Sequence, residues 1–424
     1  MKISELKNAV KNGNLNDSLV FLYGEENLEA QKERFCSIID KAEKLYGDRE
    51  AHLFSAPGRT EVGGNHTDHQ HGRVVAASIN LDVVAVVVPT DDNIVRYASK
   101  GFSVQPVDLS NLDIVPEEKN STEALIRGTA AGLVNSGYEV GGFSCYAESD
   151  VVPGGGMSSS AAFEVLLGTI FSELFNEGGV SSEEVAINGQ YAENVYFMKP
   201  CGLLDQMACS MGSFAAMDFA DPSSPVVEKI DFNPADYGYD LILTDVKASH
   251  ADLSDEYGAV PAEMKSVANI LGEEVLGNCT LDQLLLHTAR IRANCGDRAY
   301  LRAFHFLNET QRAKEQADAL KAKDMKKFLK LVNESGRSSW MYLQNIVPAG
   351  YVKEQPVGIA LAVSDAELGE DEAFRVHGGG FAGTIQAYVK QENSGRYIRV
   401  MESVFGEGCC YKLRIRQAGG IKIA

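Results

Sequence analysis

V-P-G-G-G-M-S-S-S-A-A, residues 152–162, stands between a strand pattern over 142–148 and a strongly apolar helical pattern over 161–175. Gly154, Gly155 and Gly156 permit positive φ and let the backbone approach a ligand closely. Ser158, Ser159 and Ser160 then open the helix, where unpaired N–H groups and the positive end of the dipole form an anion site. The stretch has no Gly-Lys-Ser/Thr and no G-x-G-x-x-G, so the Walker and dinucleotide-binding readings lose ground. Taken alone, it is equally well an ordinary glycine turn before a helix.

The surrounding chain of 424 residues has room for two or three domains at about 100–200 residues each. Its 45% hydrophobic and 23% charged content suits a well-buried core. With 39 basic against 59 acidic residues the formal charge is −20, a field that repels nucleic acid and anionic membranes. The first twenty residues mix charged with apolar positions, unlike a signal peptide, and no apolar run nears the ~18 residues that span a bilayer. Eight cysteines are too dilute for a disulfide scaffold and none forms a C-x-x-C pair; adjacent Cys409 and Cys410 read as a strand end. The expectation is a reduced, cytoplasmic protein.

Helical periodicity runs to about residue 50. Strand patterns follow at Val74 to Ile79, Leu81 to Val88 and Ile94 to Ala98, and a helix at Thr122 to Asn135. Ser182 to Phe197 reads as a helix capped by Ser181 or Ser182, with Glu184 as capping-box partner. Beyond Val226 the expected elements are a strand Tyr239 to Asp245, a helix Tyr257 to Leu271 and two long amphipathic helices near 297–322 and 324–343. Strands at Gly383 to Val389, Ile398 to Phe405 and Cys410 to Ile415 complete an α+β pattern. The turn-rich Asp221, Pro222, Ser223, Ser224 and Pro225 place a boundary between domains 1–220 and 221–424.

Three further motifs carry chemistry. A-P-G-R-T-E-V-G-G-N-H-T-D-H, residues 56–69, gathers Arg59, Glu61, Asn65, His66 and Asp68. Such a set can ring a polyol, because each hydroxyl needs a donor and an acceptor. A solvated turn, or a metal site from His66, Asp68, His69 and His71, are the alternatives. In K-P-C-G-L-L-D-Q-M, residues 199–207, Asp205 stands among Leu203, Leu204 and Met207. A carboxylate there is costly to bury unless paired, although it could simply cap a helix. R-V-H-G-G-G-F-A-G, residues 375–383, is a glycine-rich turn that either closes over phosphates or is only a tight loop.

The order of these four motifs resembles the galactokinase branch of the GHMP kinases, over about residues 50–420. Q-Y-A-E-N ahead of the third motif, S-D-E-Y-G around Tyr257 and E-S-G-R-S-S-W are similar to that branch specifically. The resemblance implies a two-lobed α+β GHMP kinase fold with the active site in the interdomain cleft. It also implies ATP and Mg²⁺, and phosphorylation of galactose or a galactose-like sugar at its C1 hydroxyl. Asp205 and Arg59 match the catalytic pair. Gly154, Gly155, Gly156, Ser158, Ser159 and Ser160 match the phosphate loop, and Ser159 and Glu193 the Mg²⁺ positions. Asn65, His66, Asp68, Gly202 and Tyr257 match the sugar contacts, and Gly378 to Phe381 a motif near the active-site centre. The departures are Asn65 for the family's glutamate, His69 for its tyrosine, Gly63 for an aliphatic residue, His377 for a small polar residue and Ala382 for a glycine. They bear on the choice of sugar more than on transfer.

Alternatives are a sugar-sensing regulator without turnover, a kinase for an N-acetylhexosamine, and a kinase for a non-sugar alcohol such as mevalonate or homoserine. The intact serine loop with Asp205 and Arg59 argues against the first, and the H-T-D and C-G-x-x-D-Q segments against the last. The expected partners are a small sugar and ATP, with no nucleic acid and no membrane, in a monomer or weak homodimer.

Overall fold

β-Branched and apolar runs build the larger of two sheets in the computed structural model, which describes residues 1–101, 104–152, 155–199, 201–222, 224–248 and 253–424. Its strands are β1 (His52–Gly63), β2 (Arg73–Pro89), β3 (Ile94–Ser99), β4 (Val107–Asp108), β5 (Phe143–Ser149), β6 (Phe214–Asp218) and β7 (Val226–Ile230). The second sheet holds β8 (Tyr239–Asp245), β9 (Ala373–His377), β10 (Thr384–Lys390) and β11 (Cys410–Leu413), and β12 (Ile421–Lys422) returns to the first. The first runs β12-β1-β2-β5-β3-β4, with β6 on the other half of β2 and β7 beside it; the second runs β11-β8-β10-β9. Thus β7 and β12, both beyond residue 220, pair within the first sheet.

The two runs expected at 74–79 and 81–88 form one strand, because β1 stays paired across Asn80 by slipping register between Pro57 and Arg59. β2 is apolar almost throughout because both faces are covered. Alternate residues of a strand face opposite ways. Val83, Ala85 and Val87 join the core under helix Ser159–Phe175. Val84, Val86 and Val88 meet Leu6, Phe35, Ile38 and Ile39. The N-terminal helices Ile3–Lys11, Asn16–Tyr23 and Leu28–Tyr46 therefore cover the outer face of the sheet.

A buried ion cluster ties these layers together. The Asp82 carboxylate, with no solvent exposure, pairs with Arg416 and Arg34 at 2.8 Å each. It also accepts from the hydroxyls of Tyr23, at 2.5 Å, and Ser55. Burial opposes the charge, but Arg34 and Arg416 outweigh it and hold Asp82 below the usual carboxylate range.

One expected strand is a helix. Ile398 to Phe405 lies in helix Gln391–Phe405, whose buried residues Ser394, Tyr397 and Met401 recur at helical spacing. The β-branched Ile398 and Val400 misdirect the strand reading. Ser182–Tyr191 is capped by Ser181 with Glu184 completing the box, and its last turn, Ala192–Tyr196, widens into a π-helix. No helix among the described residues is long and apolar enough to cross a membrane, and all eight cysteines are unpaired.

Candidate active site

The first half of the 56–69 motif is strand rather than turn, and the pleat of β1 sends Arg59 and Glu61 to one face. Arg59 Nε and Nη2 both lie 2.7 Å from Asp205 Oδ1, and Nη1 donates to the Gly156 carbonyl. The Ser158 hydroxyl donates to the other carboxylate oxygen. Asp205 sits in the first turn of helix Leu204–Met211. Arg59 is buried, while 36% of the Asp205 side chain is exposed, on the wall of a cavity of about 630 Å³. Burial works against the Arg59 charge, yet Asp205 outweighs it and raises the guanidinium above its usual value. A carboxylate fixed by a guanidinium on one oxygen, and open to a cavity, can accept a proton from a bound hydroxyl.

The loop ends at the N-terminus of helix Ser159–Phe175, with Ser158 in the left-handed region at φ 57°. Gly155, Gly156 and Ser158 to Ser160 follow one another here, whereas Gly154 and Pro200 lie outside the described residues. The serine bonded to Glu193 is Ser160, at 3.2 Å, one residue beyond the Ser159 that the resemblance matches to a Mg²⁺ position; Lys199 Nζ sits on the same carboxylate oxygen at 2.9 Å. Beneath them Gln206 Nε2 bridges Glu164 and Glu193 at 2.9 and 2.8 Å. Burial, reinforced by Glu193, pushes the Glu164 carboxyl well above its usual range. Its signal in the sequence is an acid set between Phe163 and Val165 in a strongly apolar helical stretch.

The cavity is lined by His66, Asp68, Gly202 and Tyr257, all expected there, and by Glu61 and His69. A Cβ on Gly202 would fall 2.5 Å from Asp68 Oδ2, so the close approach of that carboxylate requires glycine. The glycine turn after β9 ties the elements together through its carbonyls. Gly378 accepts from Asn65 at 2.7 Å, Gly379 pairs with His66 Nε2 at 2.9 Å, and Gly380 accepts from Tyr257 at 2.8 Å. Burial raises the Tyr257 phenol to about 12, keeping it a donor. His377 stands behind β1, its Nε2 accepting from the Glu61 backbone N–H at 3.3 Å and its Nδ1 2.8 Å from Thr384 Oγ1. Burial, then Arg59 and Arg375, holds it neutral, well below the usual imidazole value.

Asn65 corrects the expectation made for it. It is 1% exposed and does not line the cavity. Its amide donates to Glu61 Oε1 at 2.9 Å and to Gly378, and its oxygen accepts from Asn345 at 2.8 Å and Ser339 at 3.3 Å. With every amide atom engaged inside the protein, it cannot read a ligand. The metal alternative for the His-Thr-Asp-His-Gln-His stretch also falls, since no three His, Cys, Asp or Glu side chains converge for a metal among the described residues. A larger cleft of about 1,200 Å³, beside helix Met325–Ser338, shares only Arg375 with this site among the described residues.

His305, from helix Asp297–Lys321, supports the motif from behind, its Nε2 2.9 Å from the Asn65 carbonyl and its Nδ1 2.9 Å from Ser338 Oγ. Burial lowers it from the ordinary 6.5 to about 4. The unfolded chain takes up this proton first, so the contribution of neutral His305 is whole above pH 6.5 and is lost as pH falls towards 4. Unfolding of wild type and His305→Gln should show it: the wild-type advantage shrinks by about 1.4 kcal/mol per pH unit between pH 6 and 4.5. A constant difference would mean that the folded protein admits the proton.

Comparison with known proteins agrees with this geometry. Residues 43–89 match the galactokinase galactose-binding signature, and residues 124–213 match the GHMP kinases N terminal domain. The chain is 28% identical over 371 residues to a galactokinase of Streptomyces coelicolor, covering 86% of this chain and 92% of the relative. It is 28% identical over 363 residues to one of Actinobacillus pleuropneumoniae, covering 85% and 91%. Among solved structures, Lactococcus lactis galactokinase complexed with galactose superimposes with a TM-score of 0.76 at 24% identity, over 90% of this chain and 98% of that one. A mevalonate kinase gives 0.60 at 13% identity, over 86% and 98%, and so shares the fold. With the four motifs folded as one site in this architecture, the chain is similar to the galactokinase branch of the GHMP kinases in its matched signature, in these relatives and in its fold.

Proposed function

We propose that the protein is a sugar kinase that transfers the γ-phosphoryl group of ATP to the C1 hydroxyl of galactose or a sugar close to it. The observation that carries this reading is Asp205, open to the cavity on one side and held by Arg59 and Ser158 beside the phosphate loop on the other. The sugar oxygen bonds to the γ-phosphorus as its proton passes to Asp205, the bond to the β–γ bridging oxygen breaks, and ADP leaves. Arg59 orients Asp205 and offsets charge on the transferring group. Backbone N–H groups of Gly155, Gly156 and Ser158 to Ser160, at the helix N-terminus, would hold the phosphates. His66, Asp68, Gly202 and Tyr257 would hold the sugar.

The hydroxyl of Ser160 and the carboxylate of Glu193 are hard oxygen donors of the kind Mg²⁺ takes, and Lys199 marks the same point as favourable to positive charge. They would hold the ion, which supplies charge neutralisation at the phosphates. Glu193→Gln should therefore raise the Mg²⁺ needed for half-maximal rate about tenfold or more; an unchanged requirement would remove Glu193 from this role. A division into lobes 1–220 and 221–424 is supported by a cavity lined by Asp205 from one side of residue 220 and by Tyr257 and Gly379 from the other, although β7 and β12 pair within the first sheet.

The matched signature and the relatives favour galactose, and nothing in the site favours a non-catalytic regulator. The test is ADP release from the purified protein with Mg²⁺-ATP over hexoses, pentoses and N-acetylhexosamines. Turnover led by galactose or an epimer is expected. Silence across the panel with ATP bound would overturn the reading.

A further inference from the structure

Position 65, where the resemblance to galactokinases leads one to expect a glutamate, holds an asparagine turned into the protein. The carboxylate missing from that position has a neighbour: the Asn65 amide donates to Glu61 Oε1 at 2.9 Å. Glu61 comes from β1, shares the face of Arg59 and lines the sugar cavity. Arg375, with no solvent exposure, fixes it by a 2.9 Å ion pair to that same Oε1. Arg375 is anchored in turn on the carbonyls of Val62 and Val376 at 2.8 and 2.9 Å. One carboxylate oxygen is thus held from behind by two donors, while no hydrogen bond reaches Oε2 from the described residues. His69 lines the same cavity; its two ring nitrogens are buried with no partner among the described residues, and its ring lies 5.8 Å from that of His66.

We propose that Glu61 is the specificity-determining carboxylate of the sugar pocket, replacing from β1 the glutamate expected at position 65, with His69 as its donor–acceptor companion. The inference rests on the sugar-kinase reading. An acceptor-only carboxylate selects a ligand that offers a hydroxyl proton. Burial lowers the His69 imidazole to about 3, so the neutral ring offers one donor and one acceptor. Glu61, Asp68 and Asp205 place three carboxyl groups around one cavity, which suits a neutral hexose and repels a sugar acid.

The test begins with wild-type turnover on galactose, its monodeoxy analogues and galacturonate. Failure on every sugar would overturn the kinase reading, and this inference with it. Given turnover, one monodeoxy sugar should show KM raised about tenfold or more, from the loss of one charge-assisted hydrogen bond, and galacturonate should be a poor substrate. Glu61→Gln should raise KM for galactose by a similar factor, with kcat and KM for ATP little changed. The two losses should not add when that variant meets that deoxy sugar. Glu61→Asp keeps the charge opposite Arg375 but draws the carboxylate back, and provides a folded variant should Glu61→Gln fail to fold; KM should rise here too. A folded Glu61 variant with wild-type KM for galactose, or losses that add in full, would overturn the assignment.

Discussion

Asp205→Asn will lower kcat by about 10²–10⁴-fold, the usual worth of a positioned proton acceptor, while KM for sugar and ATP changes much less. The amide keeps the size of the side chain and an oxygen for Arg59, so the pairing at 2.7 Å survives in weakened form. It cannot take the proton of the attacking hydroxyl. Because the Asp205 side chain is partly open to the cavity, little packing is disturbed, and the melting temperature should stay within a few degrees of wild type. Steady-state rates at saturating ATP and sugar, with a thermal melt as control, decide the matter. A variant retaining more than a tenth of wild-type kcat would remove Asp205 from the proposed transfer step.

The largest expected effect on stability lies far from the chemistry. Asp82→Asn leaves Arg416, which has no solvent exposure, and Arg34, at 15% side-chain exposure, without their common counter-charge. Breaking a buried pair from one side costs about 3–5 kcal/mol. The cluster joins the N-terminal helices through Tyr23 and Arg34, β1 through Ser55, and the C-terminal tail through Arg416. Loss of the charge should therefore loosen the outer helices and the β12 edge together. Denaturant unfolding measures the loss, and hydrogen exchange locates it. Combining Asp82→Asn with Arg416→Met should restore part of the stability, since the double change removes the stranded charge. A loss below 1 kcal/mol for Asp82→Asn alone would show that Arg416 is satisfied by the Ser55 hydroxyl and the Ala418 and Gly419 carbonyls.

What the sequence disclosed about the site follows from how local each feature is. The glycine–serine loop and the helix it opens are consecutive, so their anion-binding character is written in the residues themselves. Asp205 announced itself as a charge among leucines, and Arg59 as its partner through the order of the motifs. Glu61 and Asn65 were harder. Both stand in one motif, but which of them faces the cavity depends on the pleat of β1 and on Arg375, more than 300 positions away. Reading residues 56–63 as a strand would have placed Arg59 and Glu61 on one face; the glycines favoured a turn. The same distance hid the Asp82 cluster, whose members come from the first helices, the first two strands and the last ten residues. The exchange of a strand for a helix at 398–405 has a local cause: Ile398 and Val400 follow strand propensity, while burial of Tyr397 and Met401 on the second sheet sets the helical period.

The central claim is that this cavity hands a hydroxyl of a neutral hexose to the γ-phosphoryl group of ATP. Phosphorus NMR of a reaction with Mg²⁺-ATP and galactose, labelled with ¹³C at C1, tests it most directly. Stoichiometric ADP and a phosphomonoester signal coupled to the labelled carbon are expected, both absent with Asp205→Asn. Phosphate appearing on another position, or ATP and galactose persisting unchanged with both bound, would contradict it.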